Sequence, residues 1–135
     1  MSAPEFAEQQ AVLQWWSSYC RTKGLDERLL VSIPNGSVLA GDARARAIQM
    51  ARLKATGLRV GFPDLMLCLP MRLPHSPAML FAGMFVEMKK KGGKKPTPEQ
   101  LSYHALLRDR GYNVICLYGA EEAIRAIKAY VERCV

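Results

Sequence analysis

The chain has 135 residues, of which 50% are hydrophobic, so it can bury a sizeable core, and we predict one domain over residues 1–135. Its formal net charge of +7 favours a polyanionic partner. No apolar stretch approaches the roughly 20 residues that span a bilayer, which argues against a membrane location. No signal peptide is evident. The four widely spaced cysteines form no Cys-x-x-Cys pair, which argues against a zinc site.

The first predicted element is a helix that begins at Pro4. Its inward stripe recurs at helical spacing and comprises Phe6, Gln9, Leu13, Trp16 and Cys20. Residues 29–33 form a short β-branched run that predicts a strand, and Pro-Asn-Gly at residues 34–36 ends it. A second helix is predicted from an N-cap at Asp42 to Gly57. The residues expected to face inward from it are Ile48, Ala51 and Ala55.

The second half of the chain alternates strands and helices. Strands are predicted at residues 65–69 and 79–88, and the proline-rich residues 70–77 between them predict an irregular connection. A solvated loop at residues 89–96 leads to a third helix that Thr97 begins and Gly111 closes. A strand at residues 114–118 and a helix at residues 120–134 complete the order α-β-α-β-β-α-β-α. Such interleaving predicts an α/β fold with a central mixed β-sheet flanked by helices on both faces.

Two carboxylates lie at the ends of neighbouring predicted strands. Asp64 belongs to Gly-Phe-Pro-Asp-Leu at residues 61–65, and Glu87 opens Glu-Met-Lys at residues 87–89. Asp64 alone is consistent with an ordinary polar strand start, but Glu87 has apolar neighbours and is costly to bury unless it is paired or binds a cation. Hard divalent cations such as Mg²⁺ prefer these oxygen ligands. A metal held there can polarise a phosphoryl oxygen and lower the pKa of a water, so the pair predicts a metal-dependent phosphodiesterase.

Lys89 lies two residues after Glu87 and therefore on the same side of the strand. Its ammonium can orient a nucleophilic water and offset charge that develops on the phosphorus oxygens. The alternative is a solvated side chain, because Lys89 opens a run of three lysines. The basic loop, which we define as Lys90, Lys91, Lys94 and Lys95, follows directly. With the charge of +7, phosphate-backbone binding is favoured over a solubilising role for this loop.

Three other polar residues have an ordinary structural interpretation. Glu5 can complete a capping box with Ser2, and Gln100 can do so with Thr97. Asn35 suits a turn better than catalysis. His75 and His104 stand alone without ligand spacing, so the sequence assigns them no function.

Taken in order, these motifs resemble a stand-alone virus-type replication-repair nuclease (VRR-NUC) domain of the PD-(D/E)xK nuclease superfamily. The resemblance covers nearly the whole chain. It rests on Glu5 and Gln9 followed by a Trp pair at residues 15–16, and on residues 33–36, 53–57, 61–65, 87–89, 97–100 and 111–114. It implies a restriction-endonuclease-like core.

The resemblance also implies roles for individual residues. Asp64 and Glu87 correspond to direct metal ligands, and the backbone carbonyl of Met88 is a further contact. A glutamate of the first helix acts at the metal, often through water; Glu5 aligns with it better than Glu8. The catalytic lysine corresponds to Lys89, and Gln100 lies beside it, where it can orient site groups as an alternative to capping. The turn that contains Asn35 lies near the substrate groove, so a phosphate contact is the alternative to a turn role alone.

The implied activity is that of a Mg²⁺- or Mn²⁺-dependent deoxyribonuclease acting on branched DNA such as four-way junctions. Relatives of this small, phage-associated type resemble homodimeric resolvases, so we expect a homodimer in the cytoplasm of a bacterium or phage-infected host. One alternative is a catalytically inactive DNA-binding module of the same fold, which the intact Asp64, Glu87 and Lys89 disfavour. Another is a non-enzymatic interaction protein that uses residues 70–77 and 89–95 as contact loops.

Overall fold

Four helices surround a central sheet in the computed structural model, which describes residues 3–34 and 39–134. The helices in these ranges are α1 (Ala3–Lys23), α2 (Ala43–Ala55), α3 (Pro98–Asp109) and α4 (Ala120–Cys134). The strands there are β1 (Leu30–Ser32), β2 (Leu65–Leu67), β3 (Met71–Arg72), β4 (Met79–Phe81), β5 (Met84–Lys89) and β6 (Asn113–Tyr118). A single 3₁₀ turn, Glu27–Leu29, leads into β1.

The central sheet has the strand order β1-β2-β5-β6. Its first three strands are antiparallel neighbours, whereas β5 and β6 run parallel and are connected through α3. Strands β3 and β4 form a separate two-stranded sheet. The predicted mixed sheet with flanking helices is therefore confirmed.

Strand β5 divides its side chains between the two faces of the sheet. Met84, Val86 and Met88 belong to the core shared with α1 and α4. The alternating residues Glu87 and Lys89 make side-chain contacts with α3 on the opposite face. Because strand side chains alternate with a period of two, one short strand both anchors the core and directs polar groups toward α3.

The inward face predicted for α1 is only partly right. Trp16 and Cys20 are buried as expected, but Phe6 is 58% exposed, and the prediction missed Val12 and Tyr19. Phe6 borders an open cleft beside β1 and does not reach the core. The apolar pattern of the first turn therefore overestimates how far the core extends.

The second helix has the predicted N-cap but not the predicted buried face. Asp42 Oδ1 accepts a hydrogen bond from the Ala45 backbone N–H at 2.8 Å. Ile48 is nevertheless 44% exposed, Ala51 and Ala55 are exposed, and no residue of α2 is buried. A helical apolar period produces a buried face only where another element receives it, and within residues 3–34 and 39–134 no element buries a residue of α2.

The long strand predicted at residues 79–88 is two strands. The chain changes partner at Gly83: β4 pairs with β3, and β5 pairs with β2 and β6. At this break the Ala82 N–H donates to the Gly111 carbonyl at 2.8 Å, and the Asn113 N–H donates to the Gly83 carbonyl at 3.0 Å. The prediction of a wholly irregular connection at residues 70–77 was also wrong, because β3 lies within it.

The last helix matches its predicted bounds. Its buried residues Ala123, Ile127 and Val131 face the core, and the Tyr130 hydroxyl donates a hydrogen bond to the Leu69 carbonyl at 2.8 Å. A strong amphipathic period and a receiving sheet coincide here, so the prediction holds. Across residues 3–34 and 39–134, no helix is long and apolar enough to cross a membrane.

Candidate active site

Asp64 is held between two strands at the start of β2. Its backbone N–H donates to the Val86 carbonyl at 3.1 Å, and its carbonyl accepts from the Ile33 N–H at 2.8 Å. The residue is 6% exposed, and its Oδ2 accepts a hydrogen bond from the Met88 backbone N–H at 2.7 Å. These bonds place the carboxylate next to the end of β5.

Glu87 is buried beside that carboxylate, with 2% of its surface exposed. The pKa of Glu87 is raised to about 9, chiefly by burial and in addition by a hydrogen bond with Asp64 and by the Asp64 charge. Without a bound cation, the Glu87 carboxyl therefore keeps its proton at neutral pH. Two carboxyls that share a proton in this way form one electrostatic unit.

His104 is a member of the site that the sequence prediction missed. It lies on α3, is buried, and places Nε2 3.3 Å from Glu87 Oε1. Burial lowers the pKa of His104, and the positive charges of Arg108 and Lys89 lower it further, so the ring is neutral at pH 7. The available signal was the spacing of four residues from Gln100, which places both side chains on one face of a helix.

Lys89 reaches the first turn of α3. Its Nζ donates a hydrogen bond to Gln100 Oε1 at 3.0 Å. Gln100 also completes the capping box, because its Oε1 accepts from the Thr97 N–H at 2.8 Å and its own N–H donates to Thr97 Oγ1 at 3.2 Å. The two interpretations of Gln100 left open by the sequence are thus compatible in one conformation.

The two candidate glutamates of α1 face different neighbours. Glu5 lines a cleft with Lys89. Burial and Asp64 are the larger causes of the raised pKa of Glu87, and the charge of Glu5 raises it as well. Glu8 Oε2 instead accepts a hydrogen bond from the Ala120 N–H at the start of α4. The structure therefore brings Glu5 toward the carboxyl pair and places Glu8 at a helix N-terminus. Ser2, the partner in the alternative capping box of Glu5, lies outside the described residues.

The basic loop does not present a single surface. Lys90, Lys94 and Lys95 line a cleft of about 290 Å³ together with Glu5 and Lys89. Lys91 lines a different cleft, whose other charged residues are Glu8, Glu121, Glu122 and Arg125. The predicted contact residue Asn35 lies outside the described residues.

The donor set limits which metal this site can take. Among residues 3–34 and 39–134, no group of three or more His, Cys, Asp and Glu side chains is arranged to hold a metal ion. Mg²⁺ requires fewer protein ligands, because one or two carboxylates suffice when waters and substrate phosphates complete its shell. Asp64 and Glu87 form such a pair, and a cation between them would replace the proton that Glu87 now keeps. The pair is compatible with Mg²⁺ or Mn²⁺ and does not resemble a four-ligand zinc site.

Comparison with known proteins concerns the chain as a whole. The sequence profile of the VRR-NUC domain family matches residues 3–121, a range that includes every residue of the site described above. A solved structure of a VRR_NUC domain protein superposes with a TM-score of 0.73 at 22% sequence identity, over 98% of this chain and 92% of that chain. No curated protein matches the chain significantly. The structural likeness establishes a restriction-endonuclease-like fold.

Proposed function

The chain belongs to the VRR-NUC domain family, which is a nuclease-type family, and from this premise we propose that it hydrolyses DNA phosphodiester bonds with the help of Mg²⁺ or Mn²⁺. The observation that carries the proposal is the meeting of Asp64, Glu87 and Lys89 at the edge where β2 begins and β5 ends. Two buried carboxyls beside a positioned ammonium suit a reaction at a phosphate group.

Asp64 and Glu87 would hold the ion, with the Met88 carbonyl as a further ligand. When bound, the ion supplies Lewis-acid polarisation of a phosphoryl oxygen and lowers the pKa of a water molecule. His104 positions the Glu87 carboxyl through its Nε2 contact. Gln100 positions the Lys89 ammonium, which orients the attacking water and offsets negative charge on the phosphorus oxygens.

We propose branched DNA, such as a four-way junction, as the substrate and a homodimer as the active form. One site of this size cuts one strand, and two-fold symmetry supplies the second cut that a branched substrate requires. The charge of +7 and the three lysines of the basic loop that share a cleft with Lys89 support a phosphate-rich ligand. A catalytically inactive DNA-binding module remains the second candidate, and the same experiment distinguishes it.

The test compares labelled four-way junction, flap and linear duplex, each incubated with Mn²⁺ or EDTA. We expect cleavage only with metal, and loss of cleavage in Asp64→Asn, because asparagine keeps an acceptor for the Met88 N–H but removes the charge. Asp109→Asn, an exposed change at the end of α3, is the matched control and should remain active.

A second comparison tests the lysine assignment. Lys89→Ala should lower turnover by about 10²-fold or more, whereas Lys90→Ala should not. DNA binding without cleavage by the wild-type protein would favour the inactive module. Wild-type activity in Asp64→Asn would remove the metal-site assignment.

A further inference from the structure

A cavity that the proposed catalytic groups do not use lies beside them. Its volume is about 390 Å³, it is open to solvent on one side, and it is lined by the residues that follow β1, the last turn of α2, the loop that follows α2, and α3. The side chains that matter here are Leu53, Arg59, Phe62 and Tyr103. The lining is apolar and aromatic with one cation, which is the usual composition of a small-ligand site.

Both walls of this cavity continue into the carboxyl site. Phe62 lies two residues before Asp64 on one wall. Tyr103 lies on the other wall, in the stretch of α3 between Gln100 and His104, which contact Lys89 and Glu87. A group bound in the cavity would therefore be adjacent to the phosphate that the site would attack.

Gly61 brings the two walls together. Its φ is 90°, and a Cβ atom there would lie 2.7 Å from the backbone carbonyl of Glu99. The loop consequently lies directly against the first turn of α3, closer than any side chain at residue 61 would allow. This contact lies one residue before Phe62 and holds the loop against α3 next to the cavity.

The aromatic rings of the cavity are held in a defined orientation. Phe62 makes edge-to-face contacts with Phe85 at 5.4 Å and with Tyr103 at 5.2 Å between ring centroids. Aromatic side chains of this kind bind nucleobases by stacking, and an arginine nearby adds a cation–π contribution. Arg59 is the arginine that lines this cavity.

The charge next to the cavity is positive. Helix α2 carries four basic and no acidic residues, has no buried residue, and contributes Leu53 to the cavity wall. The basic residues are Arg44, Arg46, Arg52 and Lys54. An exposed cationic helix that leads to an aromatic cavity suits a nucleic-acid strand, with phosphates along the helix and a base in the cavity.

We infer that this cavity is a nucleobase subsite that receives one unpaired base of a DNA substrate next to the cleaved bond. The inference rests on the proposed function, which supplies DNA as the substrate. It adds a physical reason why the protein would select branched DNA. Extruding a base costs least where the base is mismatched or already single-stranded, as it is in a bulge or in the single strand of a flap. A second copy of this chain is the competing occupant.

The test is a binding measurement in EDTA, so that its readout does not require cleavage. Fluorescence anisotropy compares a duplex carrying one bulged adenine with the same duplex carrying an abasic bulge. We expect the wild-type protein to bind the adenine bulge at least about fivefold more tightly, which is the lower range for stacking one base on an aromatic side chain. Tyr103→Leu should lose this preference, and Tyr103→Phe should keep it.

Two further variants secure the interpretation. Leu106→Ala alters an exposed residue of α3 outside the cavity lining and should keep the preference. Arg59 lies in the exposed loop, and Arg59→Ala should also weaken the preference for the adenine bulge. This second variant keeps the subsite testable if Tyr103→Leu lowers thermal stability.

Equal wild-type affinities for the two bulges would overturn the subsite, as would an unchanged preference in Tyr103→Leu. A change in sedimentation of Tyr103→Leu with the preference intact would overturn it in favour of a second copy. A preference for the adenine bulge without metal-dependent cleavage would uphold the subsite and contradict the proposed nuclease activity. Metal-dependent cleavage without that preference would uphold the nuclease activity and overturn the subsite.

Discussion

Lys89 and Gln100 are joined by a hydrogen bond of 3.0 Å from Nζ to Oε1, and the same oxygen accepts the Thr97 N–H at 2.8 Å. One amide oxygen therefore both caps α3 and positions the ammonium at the end of β5. The position of Lys89 relative to the carboxyl pair depends on how α3 begins.

Gln100→Ala should lower both stability and turnover, whereas Gln100→Glu should preserve stability, because glutamate also serves at the third position of a capping box. We expect Gln100→Ala to lower the free energy of unfolding by about 1 kcal/mol, a typical loss for a helix cap. Urea denaturation and single-turnover cleavage measure the two effects. Unchanged turnover in a destabilised Gln100→Ala protein would restrict Gln100 to capping.

The raised pKa of Glu87 predicts a pH dependence of stability in metal-free buffer. The folded protein holds this proton up to a pH of about 9, whereas the unfolded chain releases it near the ordinary glutamate value of 4.5. The free energy of unfolding should therefore fall as pH rises through this interval, because the native state binds more protons there. Glu87→Gln should flatten the decline, and urea denaturation in EDTA from pH 5 to 9 measures the difference.

The same carboxyl predicts how metal should act. Mn²⁺ should raise the midpoint of thermal unfolding more at pH 8 than at pH 6, because a cation that replaces the Glu87 proton binds better when protons are scarce. Glu87→Gln is the control and should respond weakly at both pH values. An equal response of wild type and Glu87→Gln would place the metal elsewhere.

Glu5 and Glu8 can be separated by the same substitution at two positions of α1. Glu5→Gln should keep its stability and lose activity, because it removes a charge near Glu87. Glu8→Gln should keep its activity and lose about 0.3–1 kcal/mol of stability, because it removes a carboxylate from the N-terminus of α4. Cleavage assays and thermal unfolding of both variants provide the comparison. The reverse pattern would assign the site role to Glu8.

The division of the basic loop predicts unequal contributions to DNA affinity. DNA affinity is measured in Ca²⁺ as a function of salt. Replacing Lys90, Lys94 and Lys95 together by Ala should reduce the slope of log affinity against log salt concentration by up to about 0.9 for each phosphate that a lysine no longer neutralises. Lys91→Ala should change it less, because Lys91 lies in the cleft that contains three glutamates. All DNA structures should weaken similarly, since phosphate contacts carry no sequence information. An equal effect of Lys91→Ala alone and the triple variant would contradict this division.

Local chemistry allowed several elements to be predicted from the sequence. The Asp42 and Thr97 caps and the bounds of α4 depend on residues within a few positions of each other, and all three are confirmed. The burial of α2 was predicted wrongly, since Ile48 is exposed. A helix's own period cannot indicate whether another element will cover it.

The candidate site shows the same division. The period of two along β5 and the placement of Asp64 at the start of the neighbouring strand β2 were sufficient to predict that Asp64, Glu87 and Lys89 lie together. Their catalytic roles stay a prediction. His104 joins Glu87 across 17 positions of the chain, and Lys91 turns away from its neighbouring lysines. Those outcomes, and the cavity at Phe62, depend on how α3 and the loops pack against the sheet. By itself the sequence determined the elements and the carboxyl–lysine pattern, because caps, turns and side-chain alternation are local interactions. Only the tertiary structure decided which side chains meet, because contacts between distant residues depend on the packing of whole elements.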